Sequence, residues 1–125
     1  MIQVSRAVFR EMAERAWLEV PEELRARVEN LTIVVEDEPS AEDYRINEVP
    51  EDEDLFGLFE GNAVTESSLD GEPILPNTIR IFQFPHEEVC DTEEQLQEEV
   101  SRTVHHELAH HFGLDDDHLE AIGAY

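Results

Sequence analysis

The residues best suited to chemistry are His106, Glu107 and His110, which form the pattern His-Glu-x-x-His. Residues four apart lie on one face of an α-helix, so both imidazoles can bind the same metal ion. The carboxylate of Glu107, beside the first histidine, can hold and deprotonate a metal-bound water. The pattern therefore predicts a hydrolytic metal centre on a helix, with Glu107 as the catalytic base.

The residues that follow the motif can supply a third metal ligand. Gly113 can end the helix and let the chain turn back, and Asp116 follows three residues later. His118 lies two residues further on, and its imidazole is by chemistry the better zinc ligand, whereas the spacing favours Asp116. We expect Asp116 to be the third ligand, with His118 as the alternative. Two imidazoles and a carboxylate suit Zn²⁺.

Length and charge limit the classes of protein to be considered. With 125 residues, we expect one domain over residues 1–125. The chain has 32 acidic residues against 8 basic ones, all arginine, and a formal net charge of -24. Such a surface repels nucleic acids and anionic membranes and attracts cations and basic peptides. We therefore expect no nucleic-acid or membrane partner.

The cysteine count and the N-terminus bear on the compartment. Cys90 is the one cysteine, so an internal disulfide is impossible. Residues 1–17 mix arginine and glutamate with apolar residues, which is not typical of a signal peptide. No stretch is long enough to span a membrane. A cytoplasmic protein is the expectation.

The first half of the chain predicts two helices, a strand and a loop. Ser5 can cap a helix that runs to about Leu18, and Pro21 suits the first turn of a short second helix. The β-branched run 31–35 predicts a strand. The acidic segment 36–54, with two prolines, predicts a long loop. The apolar stripe of the first helix consists of Phe9, Met12, Ala13, Ala16 and Trp17.

Two further strands are predicted before the motif. Residues 55–59 suit a short strand in which Gly57 permits a bulge or a close backbone approach. Residues 61–76 are typical of a loop. Residues 78–84 predict a strand ended by Pro85. This strand is either internal or an edge strand with which an extended peptide could pair.

The last third predicts the helix that carries the motif. Thr92 with Gln95 suits a capping box, and a short final helix is expected over 115–123. The motif residues fall on a face next to an apolar stripe that recurs every four residues. His86, His105 and His111 are not expected to bind the metal. The stripe consists of Leu96, Val100, Val104, Leu108 and Phe112.

These segments together resemble a family of small bacterial zincin-like metallopeptidases. The resemblance rests on segments 33–37, 57–61 and 75–84, and on 103–113 followed by Asp116. It implies an α+β fold in which a short mixed sheet packs on an N-terminal helix and the motif helix. It also implies zinc ligands His106, His110 and Asp116, with Glu107 as the base.

The resemblance leaves two classes of function open. The metal-binding pattern is also similar to that of the metzincins, which carry a methionine-containing turn after the motif, but the only methionines here are Met1 and Met12. One interpretation is a zinc-dependent peptidase that acts on peptides or flexible protein segments. The other is a non-catalytic, zinc-stabilised binding protein. An intact Glu107 favours the peptidase, and the absence of a second cleft wall favours the binding protein.

Overall fold

The computed structural model describes residues 1–26, 28, 31–50, 52–60 and 77–112. Residues 111 and 112 are described by their backbone alone. Helices and a mixed three-stranded sheet form the α+β fold that the sequence predicts. The predicted loop 61–76 and final helix 115–123 lie outside the described residues. In chain order the elements are α1 (Arg6–Leu18), α2 (Glu22–Arg25), β1 (Leu31–Glu36), α3 (Ala41–Ile46), β2 (Gly57–Glu60), β3 (Asn77–Phe82), α4 (Gln83–Val89) and α5 (Glu93–Phe112).

Helix α1 forms where the sequence predicts it. The Ser5 hydroxyl accepts a hydrogen bond from the backbone N–H of Val8, which satisfies one of the unpaired donors at the helix start. Its apolar stripe is buried against α5 and the sheet, with Trp17 half-buried at the rim. None of the helices in the described parts of the chain is long and apolar enough to cross a membrane.

The sheet has the order β1–β3–β2, with β1 parallel and β2 antiparallel to β3. Of the two positions predicted for strand 78–84, the described sheet has the internal one and not the edge. In the described sheet the edge beside α5 belongs to β2. The face turned towards α1 and α5 carries Ile33, Val35, Phe59, Ile79 and Ile81.

Strand β3 ends at Phe82 rather than Phe84, because the chain turns directly into α4. Pro85 was expected to end the strand but lies in the first turn of this helix. Proline is tolerated there because the first backbone N–H groups of a helix have no partner within it.

The acidic segment 36–54 is not the continuous loop that its charge suggests. Ser40 and Asp43 form a capping box that begins α3. The Asp43 carboxylate also accepts two hydrogen bonds from the Arg80 guanidinium, at 2.9 and 3.0 Å. Arg80 lies on the face of β3 opposite α5 and binds Glu36 and Glu60 as well. Hydrogen bonding to Arg80 lowers the pKa of Asp43 to about 2, so this pair holds α3 on the sheet.

Candidate metal centre

Helix α5 carries the motif, and the helix is held in place by its N-terminal cap and by its buried face. The Thr92 hydroxyl accepts a hydrogen bond from Gln95 N, although the Gln95 side chain binds Asp91 N rather than completing the predicted box. The predicted apolar stripe is buried as far as the described side chains extend. Its buried members are Leu96, Val100, Val104 and Leu108.

A second row of α5 residues also faces α1, and the sequence interpretation missed it. This row, the polar ladder, consists of Gln97, Ser101 and His105, spaced four apart next to the apolar stripe. These residues bind the C-terminal half of α1 and its C-cap residue Glu19, so the rotation of α5 is fixed by hydrogen bonds as well as by apolar packing. The contacts are Gln97 Nε2 to Met12 O (3.0 Å), Ser101 Oγ to Glu19 Oε1 (2.6 Å) and His105 Nε2 to Ala16 O (2.9 Å).

With those two rows buried, His106 and His110 point away from α1. Both side chains are exposed, their ring centroids are 6.3 Å apart and their planes differ by 18°. Two nearly parallel imidazoles one helical turn apart can turn their nitrogens to a shared ion. The described structure thus brings together the two histidines of the motif on one open helix face.

Glu107 lies between this open face and the protein interior. Its side chain is neither fully buried nor exposed. Burial raises the pKa of Glu107 to about 7, because the carboxylate loses part of its hydration. A carboxyl group that changes protonation state near neutral pH, beside two imidazoles that could bind a metal, is suited to general acid–base chemistry.

Both candidates for the third ligand lie outside the described residues. Asp116, His118 and Gly113 all follow the last described position. Within the described ranges, no three His, Cys, Asp or Glu side chains form a cluster that could hold a metal. The described residues therefore provide two imidazole donors and an adjacent carboxyl group, a donor set that fits the open coordination of catalytic zinc.

Of the three histidines not expected to bind metal, two are described and both are buried. His105 belongs to the polar ladder. His86 is enclosed by the rings of Phe9 and Phe56, with Nδ1 2.6 Å from Phe82 O and Nε2 2.8 Å from Thr103 Oγ1. Burial lowers the pKa of His86 to about 4. His86 is therefore a neutral structural group, whereas the His111 side chain is outside the description.

The motif helix also passes close to the edge strand. Gly57 begins β2, and a Cβ atom on this residue would lie 2.8 Å from Thr103 Cγ2. The close backbone approach predicted at Gly57 is thus present. It brings β2 to α5 one turn before His106, so the open face of the helix lies beside a strand.

The sequence of the chain matches one known protein family over most of its length. The sequence model of a family described as zincin-like metallopeptidase matches residues 28–124. The match includes all three strands, the motif and both candidate third ligands. No curated protein matches the chain.

Proposed function

The chain belongs to the zincin-like metallopeptidase family, and we propose that it is a zinc-dependent peptidase with Glu107 as its general base. The observation that carries the proposal is the open face of α5. There His106 and His110 stand nearly parallel beside a carboxyl group whose pKa is about 7. Metal binding and proton transfer are the two requirements for hydrolysing a peptide bond by this chemistry.

We assign His106, His110 and Asp116 as the zinc ligands, with His118 as the alternative third ligand. A bound zinc ion would lower the pKa of a water molecule towards neutrality and polarise the substrate carbonyl. The buried stripe and the polar ladder hold the two histidines in place, because they prevent α5 from rotating about its axis.

Glu107 would accept the proton of the attacking water and return it to the leaving amine. A group is efficient in both steps when its pKa is close to the working pH. Partial burial brings the pKa of Glu107 to about 7. A nearby cation would favour its ionised form, which is the form that accepts the proton.

The proposed substrate is an extended peptide or a flexible protein segment. Strand β2, at the described edge of the sheet beside α5, offers backbone groups for pairing with such a chain. The net charge of -24 favours basic or neutral peptides. Arg80 does not offset this field, because three carboxylates bind its guanidinium.

The experiment compares Glu107→Gln with Glu98→Gln, an exposed substitution on the same helix. Both variants lose one carboxylate, but only Glu107→Gln removes the base. We expect cleavage of a basic peptide library by zinc-loaded Glu107→Gln to fall roughly 100- to 10,000-fold. Zinc stoichiometry should stay unchanged in both variants, and Glu98→Gln should cleave like the parent.

Two results would contradict this assignment. Equal cleavage by Glu107→Gln and the parent would show that Glu107 is not the base. A zinc-loaded parent that cleaves no peptide at low or high salt would favour the non-catalytic zinc-stabilised binding protein. The advantage of basic over acidic peptides should shrink as salt rises, because salt screens surface charge beyond about 10 Å at ~0.1 M.

A further inference from the structure

Strand β2 packs against α5 at Gly57 so closely that there is no room for a side chain on this residue. A Cβ atom on this buried residue would meet Thr103 Cγ2 at 2.8 Å and the Arg80 carbonyl oxygen at 3.1 Å. Cβ atoms do not approach other heavy atoms to within 3.0 Å without displacement. A side chain at position 57 would therefore move β2 away from α5 unless Thr103 could yield.

Thr103 is held in place by two polar neighbours. Its Oγ1 lies 2.8 Å from His86 Nε2 and 3.0 Å from Glu99 O in the preceding turn of α5. These contacts fix the side-chain rotamer and with it the direction of Cγ2 towards β2. A fixed, branched side chain cannot make room for a Cβ atom as the end of a flexible side chain can.

His86 is itself rigid. Its Nδ1 lies 2.6 Å from Phe82 O, and a carbonyl oxygen only accepts, so Nδ1 donates. In the neutral ring Nε2 is then an acceptor, so the single proton of the Thr103 hydroxyl is shared between His86 Nε2 and the Glu99 carbonyl oxygen. The rings of Phe9 and Phe56 pack on the imidazole in T-shaped arrangements, at centroid distances of 5.6 and 5.0 Å.

The position of this contact along α5 links it to the motif. Thr103 precedes His106 by three residues and Glu107 by four, so it lies one helical turn away on the same side. The distance between β2 and the helix is thus set one turn before the residues assigned to zinc binding and catalysis. Phe59, further along β2, packs on the common core, so a shift of the strand at Gly57 would be transmitted along it.

We propose that Gly57, Thr103 and His86 form a spacer that sets the width of the gap between β2 and the His106–Glu107 face. This inference rests on the proposed function and adds three positioning residues to it. The spacer would determine whether an extended peptide can pair with β2 while its scissile carbonyl reaches the metal. It would not affect ligands that contact the metal alone.

The test uses two probes of the zinc-loaded protein that require no turnover. Acetohydroxamate can bind only at the metal, whereas the tripeptide hydroxamate Ala-Leu-Ala-NHOH also extends along the cleft. We expect Gly57→Ala to weaken the tripeptide probe about 10- to 100-fold, since misplacement by about 1 Å can cost that much. Acetohydroxamate affinity should change less than about twofold.

A second substitution provides a rescue. Thr103→Ser keeps Oγ1 but lacks Cγ2, so it removes the nearest atom to the added Cβ and preserves the bond to His86. The double variant Gly57→Ala/Thr103→Ser should regain most of the lost tripeptide affinity. Thr103→Ser alone, which removes the contact atom without adding a Cβ, should bind the tripeptide more weakly than the parent and acetohydroxamate equally well. If Gly57→Ala does not fold, Thr103→Val tests the spacer without a new Cβ in β2. By freeing the side chain from His86, it should weaken the tripeptide probe alone.

The outcomes separate the spacer from the zinc centre. Equal loss of both probes in folded Gly57→Ala or Thr103→Val, or no rescue by Thr103→Ser, would overturn the spacer while the zinc centre stands. If the parent binds acetohydroxamate but gains nothing from the tripeptide, β2 does not line the cleft and the spacer is wrong. If zinc-treated parent binds neither probe, the proposed zinc centre fails and the spacer fails with it.

Discussion

His105 and His106 are neighbours in the sequence, yet the fold places them in opposite environments. His105 is buried and its Nε2 donates to the Ala16 carbonyl of α1, whereas His106 is exposed and stacks with His110. His86 shares the buried environment of His105. The comparison teaches that the rotation of α5, rather than the local sequence, separates structural histidines from candidate metal ligands.

The contacts of the buried face of α5 also explain why His106 and His110 lie on an exposed face. Ala16 lies near the end of α1, where backbone carbonyls lose their partners within the helix. His105 satisfies one of these carbonyls. Ser101 and Gln97, one and two turns earlier on α5, bind Glu19 and Met12. Because this row requires α1, the adjacent row with His106 and His110 must face away from it.

The largest expected effect comes from removing a histidine of the open face. His106→Ala should weaken zinc binding by roughly 3–4 kcal/mol, about 100- to 1,000-fold in Kd, if each ligand contributes a similar share of a structural zinc site. The thermal midpoint of the zinc-free protein should change little. Competition titration with a zinc indicator and thermal unfolding with a chelator measure the two quantities.

The matched control is the neighbouring residue. His105→Ala leaves a buried carbonyl unpaired and should lower the free energy of unfolding by about 1–3 kcal/mol. The folded variant should still bind one zinc ion with nearly parental affinity. Loss of zinc in His105→Ala with retention in His106→Ala would reverse the roles assigned to the two faces.

A slightly smaller effect is expected from protonation of the buried histidine His86. Burial lowers its pKa from 6.5 to about 4 in the folded protein. As the pH falls, His86 therefore takes up a proton in the unfolded chain before it does so in the folded one. The free energy of unfolding of the zinc-free protein should fall by about 3 kcal/mol between pH 6.5 and 4 because of this group. The stability contribution is complete above pH 6.5.

Glu107 titrates in the opposite direction over part of this range, because its folded pKa is raised from 4.5 to about 7. Zinc-free protein gains stability from Glu107 as the pH falls, so urea unfolding should be compared in a Glu107→Gln background. There, His86→Gln should have a weaker dependence of stability on pH than its parent. Parallel pH profiles would show that His86 does not cause the loss.

The smallest effect concerns which residue after α5 supplies the third zinc ligand. Asp116→Ala should weaken zinc binding more than His118→Ala does, with a ratio of Kd values of at least about 10, or ~1.4 kcal/mol. The reason is the spacing of Asp116 after Gly113, because a turn at Gly113 would let the third following residue reach the helix face. The opposite ranking in an indicator titration would assign His118 as the third ligand.

The local patterns were predictable because their partners are close in sequence. Ser5 and the apolar residues of α1, the stripe of α5 and the spacing of His106 and His110 follow from helical geometry alone. Gly57 was predicted to permit a close approach, although its partner Thr103 could not be named. The ligand roles of His106, His110 and Asp116 remain predictions.

The features that the sequence interpretation missed depend on distant partners. The acidic run predicts a loop, but Ser40 and Asp43 cap α3, and Asp43 is held by Arg80, 37 residues away. The polar ladder was assigned no role because its acceptors lie on α1. Pro85 predicts the end of a strand, since a proline indicates a break but does not show whether a helix begins there.

X-ray absorption spectroscopy of the protein reconstituted with one equivalent of zinc tests the central claim most directly. The open face of α5 predicts near-stoichiometric zinc bound by two imidazole nitrogens at about 2.0–2.1 Å, with oxygen in the remaining positions. His106→Ala should reduce the imidazole count by one or release the metal. Failure to retain zinc, or zinc bound without two imidazoles in the parent, would contradict the account.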